Sequence, residues 1–303
     1  MNKRHHTHVA LAAVLAGTLL LTGCGPSTLP EPGGKTEITV SIVPQKYFVE
    51  RVGGDHVEVN VMVLPGNSPA TYEPKPKQIA SLSESAAYFS IGVPFEDAWL
   101  DKIASANDRM RIVDTAAGIE RVPINAHHKV ELGGRPESEA EGRDPHIWLS
   151  PSLVKIQARN IHDALVELDA DNEADYNTNL HTFIADIDAL TAEIEETLAD
   201  IPNRKFMVFH PAWGYFGDDF ELEMIPIEIG GQEPSAAEMA ELVTKAQAEG
   251  IRVIFVQPEF STEDAETIAS EIGGTVLPIS SLADDWLSNL SQVAETFAEV
   301  LGQ

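Results

Sequence analysis

The 303-residue chain reads as an α/β protein, with two βα domains, each built on a parallel sheet, bridged by one long rigid helix. Three observations predict this. Short runs rich in β-branched residues recur along the chain, helical periodicities lie between most of them, and one acidic stretch of about 30 residues keeps a single apolar stripe throughout.

The elements follow in order. Lys3 and Arg4 precede an apolar run from Val9 to Leu21 and the segment Leu21-Thr22-Gly23-Cys24. A charged start, a short apolar core and small residues before a cleavage point predict a secretory signal over 1–23. The run is too short for a bilayer span, which needs roughly 20 residues. The Leu-Thr-Gly-Cys segment resembles the lipobox of bacterial lipoproteins, which implies lipidation at Cys24 and attachment to the outer face of a lipid bilayer. Cys24 is the only cysteine, so the exported chain has neither an internal disulfide nor a thiolate metal site. Residues 24–36 are rich in Gly, Pro, Ser and Thr and read as a flexible tether.

The first domain, 37–168, carries the runs ITVSIV (38–43), VEVNVMV (57–63) and AYFSI (87–91). The second, 203–303, carries FMVF (206–209), IPIEI (225–229), VIFV (253–256) and TVLPI (275–279). Ser235 with Glu238 forms a capping box before a helical period that Gly250 stops, and Gly273-Gly274 stops the next. Between the domains, 169–202 is predicted as the linking helix. Its apolar residues Tyr176, Leu180, Phe183, Ile184, Ile187, Leu190, Ile194 and Leu198 step by three or four. The two halves share the βα rhythm without a repeat in sequence.

The formal charge is −28, and cleavage before Cys24 would remove Lys3 and Arg4, taking it to −30. Such a surface repels nucleic acid and anionic lipid and gathers cations. Neither HExxH, GxSxG nor a phosphate-cradling glycine pattern occurs.

Of the ten histidines, His5, His6 and His8 belong to the signal, and His56, His162 and His181 read as solvated. His146, in GRDPHIWLSP (142–151), is predicted at a loop-to-strand junction closing the first domain. His210 ends the strand 206–209 in the second, before a helix holding Trp213 and Tyr215. Ligands in open α/β sheets gather at the carboxyl ends of strands. Two imidazoles facing each other across a cleft suit a borderline cation such as Zn²⁺, although a hydrogen-bonded structural histidine fits the same spacing.

Six segments carry a resemblance: LPGNSPATYEPKPKQIA (64–80), IGVPFEDAWL (91–100), DPHIWLSP (144–151), FHPAWGYF (209–216), IEIGGQEPSAAEM (227–239) and VQPEFS (256–261). Together they resemble the zinc/manganese substrate-binding lipoproteins of ABC importers over essentially the whole exported chain. The resemblance implies a helical-backbone substrate-binding protein with the metal between its domains. It implies His146 and His210 as ligands. It also exposes two departures, because Ala70 stands where the family has its first histidine, and Ser280 where it has an aspartate.

Three explanations stay open. Nearby donors rebuild the site, a weaker or different metal is bound, or the fold has been kept for another role. His127 or His128, in the polar loop 125–144, and Glu259 are the candidate donors for a rebuilt site. Imidazole-rich ligation favours Zn²⁺ over Mn²⁺, with Ni²⁺ and Co²⁺ as alternatives. The expected role is capture rather than catalysis: a monomer that delivers a divalent cation to a membrane permease with small structural shifts. Its affinity should fall as pH drops through about 6. A metal-dependent hydrolase using Glu259 or Glu228 as base, and an adhesin without metal, are the alternative readings.

Overall fold

The computed structural model describes residues 34–124, 142–229, 231–260 and 262–302. The signal peptide, Cys24, the tether and the loop histidines His127 and His128 lie outside the described residues. Lys35–Gln303 forms one compact unit.

Two sheets of four parallel strands organise it. Strands β1 (Thr36–Val40), β2 (Val57–Val61), β3 (Ala87–Ser90) and β4 (Arg111–Asp114) order as β2-β1-β3-β4. Strands β5 (Lys205–Val208), β6 (Glu223–Pro226), β7 (Val253–Val256) and β8 (Thr275–Pro278) order as β6-β5-β7-β8. The two orders are the same, so the shared rhythm of the halves is a shared topology. Strand β4, RIVD, has no counterpart among the runs singled out in the sequence. It is an edge strand with mostly exposed side chains, so it lacks the apolar signature of a buried strand.

Helices α1 (Val43–Gly53), α2 (Pro76–Ser81) and α3 (Pro94–Ala106) connect the first sheet, and α4 (Pro151–Leu168) leaves it. The linking helix α5 runs from Glu173 to Leu198, 26 residues and about 39 Å. It buries Tyr176, Phe183, Ile187, Leu190, Ile194 and Leu198, six of the eight stripe positions, and packs on α1, on α4 and on the last helix, α9 (Trp286–Leu301). Phe48 of α1 meets Phe183 of α5 at 6.0 Å and Trp286 of α9 edge-on at 5.3 Å. One apolar cluster therefore runs from the first lobe, through α5, into the second, and another, from Met207 to Ala269, lies wholly within the second lobe. The connection is more than a linker, because helices from both lobes share its buried face.

In the second lobe, α6 (Gly214–Asp219), α7 (Ala236–Ala248) and α8 (Glu263–Ile272) complete the fold. The capping box forms as expected: Ser235 N–H donates to Glu238 Oε2 at 2.7 Å, and Glu238 N–H donates to Ser235 Oγ at 3.4 Å. Gly273 closes α8 in the left-handed conformation, at φ 64°. Among the described residues no helix is long and apolar enough to cross a membrane.

Candidate metal centre

His210 stands two residues beyond the end of β5, where the parallel register decides its neighbours. Val208 pairs with Pro226 of β6 and with Phe255 of β7. Continuing both ladders by two residues sets His210 between Glu228 and Gln257. The side chains use this row. Glu228 accepts a hydrogen bond from His210 Nδ1. The buried Gln257 amide clasps the backbone: its Nε2 donates to His210 O at 2.9 Å, and its Oε1 accepts from His210 N–H at 3.3 Å. Phe260 stacks on the imidazole, 18° from parallel with centroids 4.4 Å apart.

His146 is set differently from the expectation. Ile147–Leu149 forms a single 3₁₀ turn rather than a strand, and His146 opens it. Proline on both sides, at 145 and 151, removes the N–H groups a strand ladder needs. Ser150 then caps α4 by accepting Leu153 N–H at 3.1 Å. Asp144, fully buried, accepts both the backbone N–H of His146 at 2.8 Å and its Nδ1–H at 2.6 Å. The residue preceding the proline thus orients the histidine following it.

Both imidazoles are therefore built alike. Each gives its Nδ1 proton to a carboxylate, which fixes the ring and leaves the Nε2 lone pair turned toward the other imidazole. The two Nε2 atoms face each other at 3.2 Å, with ring centroids 5.1 Å apart. Two lone pairs at that distance repel unless a proton or a cation lies between them. Two Zn–N bonds at a tetrahedral angle subtend about 3.3 Å, so the pair already has the spacing of two ligands on one ion. The two carboxylates behind the rings also supply the charge that a divalent cation neutralises. Burial lowers the pKa of His210 below the usual histidine range. Glu228 and Asp144 pull it upward and the facing His146 pushes it down further, with burial the largest of these effects.

The remaining sequence candidates fall as follows. Among the described residues no group of three or more His, Cys, Asp or Glu side chains stands together as a metal site. Glu259 is thus not gathered with the pair. It adjoins Phe260, and its Oε2 is buried without a hydrogen-bond partner, with burial pushing its pKa up. Ala70 is exposed in the loop after β2, its N–H bonded to Ser68 Oγ at 3.2 Å. Ser280 uses its hydroxyl inside a turn, accepting Leu282 N–H at 3.3 Å. His56 meets Asp175 at 2.8 Å, and His162 and His181 bond to Asn177, all remote in sequence from the pair. Residue-by-residue reading did not single out Asp144, and it named Glu228 only as a possible base, not as the hydrogen-bond partner of His210. The first was legible as a carboxylate two positions before a histidine, the second only through the strand register.

A parallel α/β fold whose two lobes meet at a pair of carboxylate-backed imidazoles is that of a two-lobed binding protein for a small cation. The model of the family described as "Zinc-uptake complex component A periplasmic" matches residues 38–300, and the chain belongs to that family. A crystal structure of ZnuA is 46% identical, with a TM-score of 0.81, covering 88% of this chain and 99% of that one. A zinc-bound structure of a ZnuA deletion mutant is 46% identical, with a TM-score of 0.80 over 89% of this chain and 99% of that chain. The high-affinity zinc uptake system protein ZnuA of Bacillus subtilis is 27% identical over 90% of this chain and 88% of its own length.

Proposed function

We propose that this protein captures a divalent cation, zinc, between its lobes and hands it to the membrane permease of an ABC importer. The observation that carries this is the His146–His210 pair, two Nε2 lone pairs 3.2 Å apart with both Nδ1 atoms engaged by carboxylates. Family membership and the zinc handled by the relatives, a zinc uptake protein and a zinc-bound ZnuA variant, support the same cargo.

A two-histidine site needs further donors to reach the four ligands zinc prefers. His127 or His128 from the loop before Asp144 is the first candidate, and Glu259 the second, with water filling the remainder. Imidazole ligation disfavours Mn²⁺, and Ni²⁺ and Co²⁺ compete for the same pair, separated from zinc by geometry rather than raw affinity. Cys24 anchors the exported chain to the bilayer through its lipid, and the chain works as a monomer, capturing without catalysis. The hydrolase reading loses one of its bases, since Glu228 is engaged with His210. Because α5 is packed along both lobes, loading proceeds by small shifts rather than by wide hinge closure.

Calorimetric titration of the purified protein with zinc tests the reading. One ion per chain is expected, with His146→Ala and His210→Ala each weakening binding at least a hundredfold. Undiminished binding in either variant would place the cation elsewhere.

A further inference from the structure

The repulsive pair needs a frame to hold it, and helix α6 is placed to be that frame. It begins four residues after His210 and is tied to it through the turn in which Ala212 N–H donates to His210 O at 2.8 Å. From there α6 packs against the 147–149 turn and α4, both in the segment that carries His146. Two of its side chains bracket that segment. Upstream of His146, the Tyr215 hydroxyl accepts Val122 N–H at 3.1 Å and donates to the Asp144 carbonyl at 3.4 Å. Downstream, the Asp219 carboxylate accepts from Ser150 Oγ at 2.6 Å, Ser152 Oγ at 2.8 Å and Ser152 N–H at 3.2 Å.

The placement is specific in two ways. Val122 O also accepts Asp144 N–H at 2.8 Å, so Tyr215 closes a ring of hydrogen bonds around the very residue that orients His146. Asp219 grips both the cap residue of α4 and the residue two beyond it, which fixes where the helix starts. The helix itself is held close to its own lobe, since a Cβ at Gly217 would come within 2.9 Å of Leu222 O. Five hydrogen bonds from two residues of one short helix thus cross to the other lobe, on both flanks of one ligand.

We infer that Tyr215 and Asp219 are positioning residues that clamp His146 against His210, so that the two Nε2 atoms are held at the spacing of two ligands on one ion. The inference rests on the proposed binding role of the two histidines. A preset pair spends less binding energy on ordering, which appears as tighter binding and slower release.

The test compares zinc binding by Tyr215→Phe, Asp219→Asn and the double variant with wild type. Tyr176→Phe is the control, since it deletes a hydroxyl bonded to Asp169 at 2.8 Å away from the pair. Each single clamp variant is expected to raise Kd about threefold to fivefold and the double variant at least tenfold, chiefly through faster release. The visible absorption of bound cobalt(II), which reports ligand geometry, should change in the clamp variants only. If the clamp variants lose thermal stability like Tyr176→Phe, while Kd stays within twofold of wild type and the cobalt spectrum is unchanged, the clamp idea is wrong. A metal-free readout separates this from the binding reading. The Nδ1–H proton resonances of His146 and His210 should shift in the clamp variants without any metal, and unmoved resonances overturn the clamp. Wild-type protein that binds no zinc while those resonances do shift would overturn the binding role and leave the clamp standing.

Discussion

Replacing Asp144 by Asn isolates the contribution of one carboxylate to the affinity of a histidine it merely orients. Asp144 is fully buried, so solvent does not screen the change. Its oxygen accepts two N–H groups of His146, at 2.8 and 2.6 Å. The backbone N–H forces an asparagine to present its oxygen to the same place, which preserves the geometry while removing the charge. Hydrogen bonds to a charged group are worth about 1.5–3 kcal/mol and neutral ones about 0.5–1.5 kcal/mol. The difference of roughly 1–1.5 kcal/mol corresponds to a Kd about 5 to 12 times higher, at the lower edge of what outer-shell substitutions cost metal sites. Asp144→Ala leaves two buried N–H groups unpartnered and releases the ring, so it should weaken binding toward a hundredfold and also lower stability. The assay is competition for zinc against a chromophoric chelator, with thermal melting of the metal-free proteins alongside. Wild-type affinity in Asp144→Asn, together with loss of binding in His146→Ala, would refute the claim that the carboxylate's charge strengthens the ligand it orients.

Four further outcomes follow from the same geometry. A His127→Ala/His128→Ala variant should lose about tenfold in zinc affinity by calorimetry, and unchanged affinity would remove the loop from the ligand set. Ala70→His should tighten zinc binding at least tenfold by restoring the donor that relatives of this kind imply; no gain would show that position 70 does not reach the pair. Because burial lowers the pKa of His210, that ring stays neutral to a lower pH than a free histidine. Zinc affinity should therefore hold to within about threefold from pH 7.5 to 6.5 and fall only below that. The same shift has a stability consequence. Below the unfolded value of about 6.5 the unfolded chain binds the proton that folded His210 refuses, so stability rises with pH through this window and is lost as pH falls. Melting temperatures of metal-free wild type and His210→Gln between pH 5 and 7.5 check the sign, since the variant should show the flatter profile.

Much of the fold was legible because its signals are local. Buried strands such as VIFV and FMVF announce themselves by composition, and the stripe from Tyr176 to Leu198 follows helical spacing, with Leu180 and Ile184 at the partly buried margins. The exceptions have physical reasons. Strand β4 is an edge strand whose pairing with β3, from Ala87–Arg111 to Ser90–Asp114, is paid for by backbone hydrogen bonds rather than apolar burial. The run Ile147-Trp148-Leu149 is apolar because all three residues are buried, not because it belongs to a sheet. Trp148 shows what holds it: its indole N–H donates to Ser281 O at 2.7 Å, and its carbonyl accepts from Trp286 Nε1 at 2.6 Å. Apolar composition reports burial, and only a ladder of free N–H groups makes burial into a strand.

The site was legible to different depths on its two sides. On the first, Asp144 and His146 are two residues apart, so the carboxylate, the proline and the histidine form one local unit that a sequence displays directly. On the second, Glu228 lies 18 residues beyond His210, just past the end of a different strand. Its role follows only when β5 and β6 are known to be parallel neighbours with Val208 opposite Pro226, which carries position 210 to position 228. The same arithmetic through β7 carries 210 to Gln257. One pairing register thus places a proton acceptor and a backbone clasp on either side of the second ligand. A one-residue slip in that register would turn both side chains to the opposite face of the sheet. The chemistry at His210 is in that sense a property of the sheet, whereas at His146 it is a property of the tripeptide Asp-Pro-His.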